Sequence, residues 1–139
     1  MTLDEFLSRH ALGNHQSGTA KTYVATTDSH IVVGYYSLAA SQILYADAPT
    51  RLQKGAPRHP IPVVLLARLA VDRSWQGKGL GAELVKEAEN HCVNLNADLI
   101  WFNAREKAVR FYEKNDYQIL GDAFEIPDVG THFVMFKKL

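Results

Sequence analysis

The spacing of apolar residues changes repeatedly along this chain, and each change marks an element. Lys21 to Thr26 and Ile31 to Ala39 are rich in Val, Ile, Tyr and Thr and flank a polar turn, Thr27-Asp28-Ser29. They read as two strands around that turn. Ser41 to Tyr45 reads as a third. Residues 46–60, ADAPTRLQKGAPRHP, hold three prolines and a glycine, a surface loop. Ile61 to Val71, IPVVLLARLAV, is nearly continuous aliphatic, as in a strand covered on both faces. Then the period shifts: Leu80, Leu84, Ala88 and Cys92 recur every fourth residue, predicting a helix to about Leu95. Asp98 to Asn103, DLIWFN, is another strand, and Ala104, Ala108, Phe111 and Tyr112 share one face of a second helix. Tyr117–Leu120 and His132–Phe136 finish as strands. At the start, Thr2-Leu3-Asp4-Glu5 fits a capping box for a helix reaching about Ala11 and stopping near Gly13. Strands alternating with helices predict a mixed α/β domain.

Composition narrows the class. The 139 residues suit one domain, 1–139, and 47% apolar content is enough for a core and too much for disorder. No apolar run reaches the roughly 18 residues of a membrane span. The first residues, MTLDEFLSRH, lack a signal pattern, and Cys92 is the one cysteine, so the expected setting is the cytoplasm. Net charge is zero but unevenly spread. Residues 1–80 hold eight Lys/Arg against five Asp/Glu, and residues 81–139 hold seven against ten. The whole chain therefore carries no generic nucleic-acid signal, while a local basic face in the first half stays open.

The chemistry concentrates in "SWQGKGLGAE", residues 74–83, where Gly77, Gly79 and Gly81 alternate around Lys78. A strand, a glycine turn and a helix start make an anion site: free N–H groups converge and the helix dipole adds partial positive charge. Glycines let the backbone close on a phosphate. A P-loop spacing is absent. A dinucleotide fingerprint needs G-x-G-x-x-G and an acid ending the next strand, whereas the spacing here is G-x-G-x-G and that strand ends in Asn103. The remaining pattern, Q/R-x-x-G-x-G/A, is met by Gln76, Gly79 and Gly81. It resembles the coenzyme A pyrophosphate loop of the GCN5-related N-acetyltransferases (GNAT). Phe111-Tyr112-Glu113-Lys114 follows about 30 residues later, in the family's order. The first half, with N-x-Q-S-G at 14–18, VVGYYSLAA and PVVLLARLAVDRSWQGKGLG, is similar to acetyltransferase toxins of toxin–antitoxin modules, which acetylate the amino acid on charged tRNA. The second half, from about Glu87, looks closer to acetyltransferases of small amines.

The resemblance implies a GNAT fold: a mixed, mostly antiparallel sheet flanked by helices, with a splayed central strand pair. It implies acetyl-CoA as co-substrate and no metal. Backbone groups at Leu69, Ala70 and Val71 would pair with the pantetheine arm, one N–H there facing the reacting carbonyl oxygen. Amides from Gln76, Gly77, Lys78, Gly79, Leu80, Gly81 and Ala82 would hold the pyrophosphate. Asn103 would bond the arm from the neighbouring strand, with Ala108 and Phe111 beside it. Tyr112 would be the general acid, protonated at neutral pH with an ordinary pKa of about 10; its alternative is core packing. The toxin branch implies aminoacyl-tRNA as substrate, a ribbon-helix-helix antitoxin and a homodimer as further partners. Acetylation of small amines or peptides, and a non-catalytic coenzyme A-binding module, are the competing readings.

The acceptor leaves a physical mark. An α-amine of pKa about 8 is partly neutral at pH 7, whereas a lysine amine near 10.4 needs roughly 4 kcal/mol of help from a base. No carboxylate in the sequence stands out for that task, which favours an α-amine. Arg51, Lys54 and Arg58 in the proline-rich loop are the cluster for a phosphate-contacting edge, against a merely solvated loop. His10 and His15 lack metal-ligand spacing, Cys92 falls on the apolar face of its helix, and Tyr45 and Tyr117 read as structural. His132 has a minor reading as a cleft residue. Trp75 is open between packing and adenine contact.

Overall fold

A computed structural model describes residues 20–44, 53 and 60–139. The expected N-terminal helix, His10, His15, Tyr45 and the loop with Arg51, Lys54 and Arg58 lie outside the described residues. The strands are β1 (Lys21–Thr26), β2 (Val32–Ile43), β3 (Ile61–Val71), β4 (Leu99–Arg105), β5 (Gln118–Ile126) and β6 (Gly130–Lys138). Helix α1 (Leu80–Asn94) joins β3 to β4, and α2 (Val109–Lys114) joins β4 to β5. The six strands form one sheet in the order β1-β2-β3-β4-β6-β5. β3 and β4 are parallel, as the intervening helix requires. The pairs β1–β2, β4–β6 and β5–β6 are antiparallel. The chain divides into two compact units, residues 1–40 with 66–91 and residues 41–65 with 92–139.

In the first unit, β1 and β2 close over the predicted turn. His30 takes φ 63°, and Thr27 N–H donates to the Ile31 carbonyl at 2.9 Å. Thr22 and Ser37 hydroxyls meet at 2.9 Å across the pair, satisfying the buried serine. α1 buries Leu84, Val85 and Ala88. Gly34 of β2 makes room for this helix. A Cβ at Gly34 would stand 3.0 Å from Leu84 Cδ1 and 3.1 Å from the Ala70 carbonyl oxygen. Gly34→Ala therefore overpacks the helix–strand contact and is expected to cost about 1–3 kcal/mol. Thermal denaturation should show the midpoint falling by several degrees; an unchanged midpoint would mean that α1 shifts without cost.

In the second unit, Ile61, Val63, Leu99 and Phe136 form a buried cluster, with Ile43, Trp101 and Leu120 packed on it. The β3–β4 ladder covers Val63–Leu99, Val64–Ile100 and Leu65–Trp101, with Asp98 N–H donating to the Pro62 carbonyl at 2.8 Å. Both strands continue past the ladder, β3 to Val71 and β4 to Arg105.

Four expectations need correction. Ile31–Ala39 and Ser41–Tyr45 are not separate strands: β2 runs unbroken through Ala40, because no Gly, Pro or turn-forming pair interrupts Ala39-Ala40-Ser41. β4 extends to Arg105, so Ala104 belongs to the strand, where its backbone pairs with Phe133. Ala108 closes a short 3-10 turn, Glu106–Ala108, and α2 begins only at Val109. The four-residue recurrence of alanine had suggested a longer helix. β5 and β6 also outrun their predicted lengths, since a bulge at Gly121 (φ 78°) lets β5 resume after Leu120.

Candidate functional site

In the first unit, β3 ends at Leu69, Ala70 and Val71, all half-buried. Asp72 N–H donates to the Val33 carbonyl at 2.7 Å, anchoring the strand end to β2. Asp72 then caps the 3-10 turn Arg73–Trp75: its Oδ1 accepts from Ser74 N–H at 2.9 Å and from the Ser74 hydroxyl at 2.5 Å. Those bonds hold the Asp72 carboxyl below its usual range. Gln76 Nε2 donates to the Val71 carbonyl at 3.1 Å and folds the loop back on the strand. Gly77 and Gly79 take φ 77° and 83°, a region that favours glycine, and both face open space.

The helix start follows from hydrogen bonding. Glu83 N–H reaches the Gly79 carbonyl at 3.2 Å, so Gly79 is the residue before the first helical position. The N–H groups of Leu80, Gly81 and Ala82 thus precede the first intrahelical donor, on a helix of 15 residues. Residues 73–79 are exposed, and Lys78 Nζ lies 5.2 Å from the Trp75 ring centroid. This loop offers backbone donors, a cation and room for a phosphate. It can bind an anion.

In the second unit, Asn103 sits exposed on β4, its backbone paired with Val134 of β6. Ala108 and Phe111 are half-buried. Tyr112 lies in an aromatic cluster, 4.2 Å from Phe102, 5.0 Å from Phe111 and 5.9 Å from Tyr117 between ring centroids. Burial pushes its phenol up to about 12. Asn115 locks this turn. Its N–H and that of Tyr117 donate to the Tyr112 carbonyl at 2.9 and 3.1 Å, and its side-chain amide donates to the Phe111 carbonyl at 2.8 Å. Motif reading passes over Asn115; the only sign in the sequence is an asparagine just after a short helical run.

The remaining sequence candidates resolve simply. Cys92 is fully buried. Tyr117 is buried, with Lys137 Nζ 5.6 Å from its ring centroid. His132 is buried, with Nδ1 2.8 Å from the Gly130 carbonyl oxygen, which supports the structural reading. Among the described residues no helix is long and apolar enough to cross a membrane.

Comparison with known proteins follows the same lines. Residues 1–138 match the model of the acetyltransferase (GNAT) domain. A tRNA-acetylating toxin of Mycobacterium tuberculosis (strain ATCC 25618 / H37Rv) is 41% identical over 124 residues, 85% of this chain and 73% of that protein. The structure of AtaT complexed with acetyl-methionyl-tRNAfMet superposes with a TM-score of 0.73 at 32% identity, covering 94% of this chain and 79% of that one. AtaTR bound with AcCoA gives 0.71 at 31% identity, covering 98% and 80%. With the loop, the strand order and the family model in agreement, the chain belongs to the GNAT acetyltransferase family.

Proposed function

We propose that this chain is a single acetyltransferase domain that transfers acetyl from acetyl-CoA to the α-amine of an aminoacyl-tRNA, acting as a cytoplasmic toxin that blocks translation. The observation that carries the reading is its 41% identity, over 85% of its length, to a tRNA-acetylating toxin. The partners proposed with it are a ribbon-helix-helix antitoxin and a second copy of the chain.

Acetyl-CoA supplies an activated acetyl thioester. Toward it, the N–H groups from Gln76 to Ala82, with Lys78, bind the pyrophosphate, and the backbone at Leu69–Val71 and Asn103 align the pantetheine arm. Ala108 and Phe111 flank Tyr112, whose hydroxyl donates a proton to the departing sulfur. A phenol near 12 is fully protonated at neutral pH, but giving its proton to a thiolate whose acid lies near 8.5 is uphill by about 5 kcal/mol. Tyr112 therefore acts chiefly by donating a hydrogen bond to developing negative charge, with transfer late in the reaction. No strong base is required, because an α-amine near 8 supplies its own neutral form.

The direct experiment incubates the chain with acetyl-CoA and charged tRNA and looks for an N-acetylated aminoacyl ester. Acetylation of free amines with none of charged tRNA at low salt would replace the toxin reading by the small-amine one. Coenzyme A binding without any transfer would leave only a binding module. Arg51, Lys54 and Arg58 are proposed as one phosphate-contacting edge. Replacing all three by Ala should weaken tRNA binding and flatten its salt dependence, with acetyl-CoA affinity unaltered. Unaltered tRNA binding would return that loop to plain solvation.

A further inference from the structure

The acidic second half of the chain conceals a basic segment. Residues 105–114, REKAVRFYEK, carry Arg105, Lys107, Arg110 and Lys114 against Glu106 and Glu113, a surplus of two. All six charged residues are exposed. Arg105 ends β4 and Lys107 sits in the 3-10 turn that leads into α2. An open cavity of about 480 Å³ lies there, lined by Arg105, Glu106, Lys107, Val129 and Thr131.

The cavity has a built wall. The β4–β6 register places Arg105 opposite His132, which brings the β5–β6 hairpin against the end of β4. Asp128 (φ 63°) and Gly130 (φ 120°) both take left-handed backbone on either side of Val129. Val129 N–H donates to the Ile126 carbonyl at 3.0 Å, and its side chain is left 50% exposed. Asp128 and Gly130 turn the hairpin tip and leave the Val129 side chain facing solvent. The Thr131 hydroxyl donates to Glu125 Oε1 at 2.5 Å, so that carboxylate is occupied. Among the described residues, the Arg105 and Lys107 side chains form no ion pair with the protein. With Glu106 counted, the lining carries a net positive charge. From Lys107 to Tyr112 the chain advances only about 8 Å along the helical axis.

We infer that this cavity receives a phosphodiester from the acceptor end of the RNA substrate, gripped by Arg105 and Lys107, with Val129 against the adjoining base or amino-acid side chain. The inference rests on the aminoacyl-tRNA reading above and names where that substrate is held. Arg105 offers a planar fork to phosphate oxygens and Lys107 a mobile point charge. Exposed cations on a cavity wall favour a polyanion over a neutral amine.

The test uses the full chain carrying Arg105→Gln with Lys107→Gln, and separately Val129→Asp, which sets a carboxylate on the rim. KM is measured for charged tRNA and for a phosphate-free aminoacyl methyl ester. The double variant should raise the ratio of the two KM values about tenfold or more and lower the salt slope of tRNA binding by about one. Val129→Asp should raise the same ratio, and Arg105→Lys alone should raise it by less than the double variant, because the charge stays and the fork is lost. If the wild type acetylates charged tRNA and both variants keep its KM and salt slope, the cavity proposal is overturned while the tRNA reading stands. If the wild type acetylates the ester but not charged tRNA at low salt, the tRNA reading fails and the proposal falls with it. Inorganic phosphate at matched ionic strength forms the last arm. If it binds the wild type and not the double variant while tRNA KM is the same in both, the cavity takes a free anion and the RNA assignment is wrong.

Discussion

Gly79→Glu is expected to abolish acetyl-CoA binding while leaving the fold intact. Two effects act together at this position. Gly79 takes φ 83°, where an L side chain is strained by about 1–2 kcal/mol. It also immediately precedes the first helical residue, beside the N–H groups of Leu80, Gly81 and Ala82. A Cβ at Gly79 meets no atom of the protein within 4 Å, so the added side chain projects into the space proposed for the pyrophosphate. Its carboxylate then competes for the same donors and repels a like charge. Calorimetry should find no measurable binding, with circular dichroism unchanged. Gly79→Ala, which brings the backbone strain without the charge, should weaken binding by a smaller factor. Full affinity in the glutamate variant would remove the pyrophosphate from this loop.

Tyr112→Phe should lower turnover by about 10²–10⁴-fold, the range for a lost acid–base group. The lower half of that range is favoured, because a phenol near 12 is a reluctant donor to a thiolate. The ring contacts with Phe102, Phe111 and Tyr117 survive the change, so stability and acetyl-CoA affinity should hold. The pH dependence adds a second check. The folded-state pKa lies above the ordinary 10, so the protein favours the neutral phenol. The stability this group contributes is fully present below pH 10 and is lost as pH rises through 12. In the wild type, loss of activity through phenolate formation should accordingly not begin near 10 but closer to 12, wherever the fold survives. Near-normal turnover in the phenylalanine variant would leave Tyr112 as a packing residue.

Local spacing made much of the molecule legible. α1 was predicted to within one residue at its end, because the recurrence of Leu80, Leu84, Ala88 and Cys92 at helical period needs only a covering sheet to become a buried face. The Thr27-Asp28-Ser29 turn and the all-aliphatic β3 were similarly plain. The β2 and α2 boundaries were not. Ala39-Ala40-Ser41 is compatible with either a break or an extended strand, and only pairing chose the latter. Ala104 and Ala108 fit a helical face by count alone, yet the partner strand β6 holds the first of them extended.

The sequence by itself determined the glycine turn between β3 and α1 and the order of the described elements. Glycines at 77 and 79 permit left-handed backbone, an apolar repeat starts the helix behind them, and both depend on neighbours a few residues away. The tertiary structure alone decided the environment of Tyr112 and the cavity beside it. Burial pushes the phenol up, in a cluster where the rings of Phe102, Phe111 and Tyr117 surround it. Arg105 and Val129 are 24 residues apart in the chain and share a wall only because β4 pairs with β6 in one register. Desolvation and long-range register depend on which distant segments meet, and no local pattern encodes that.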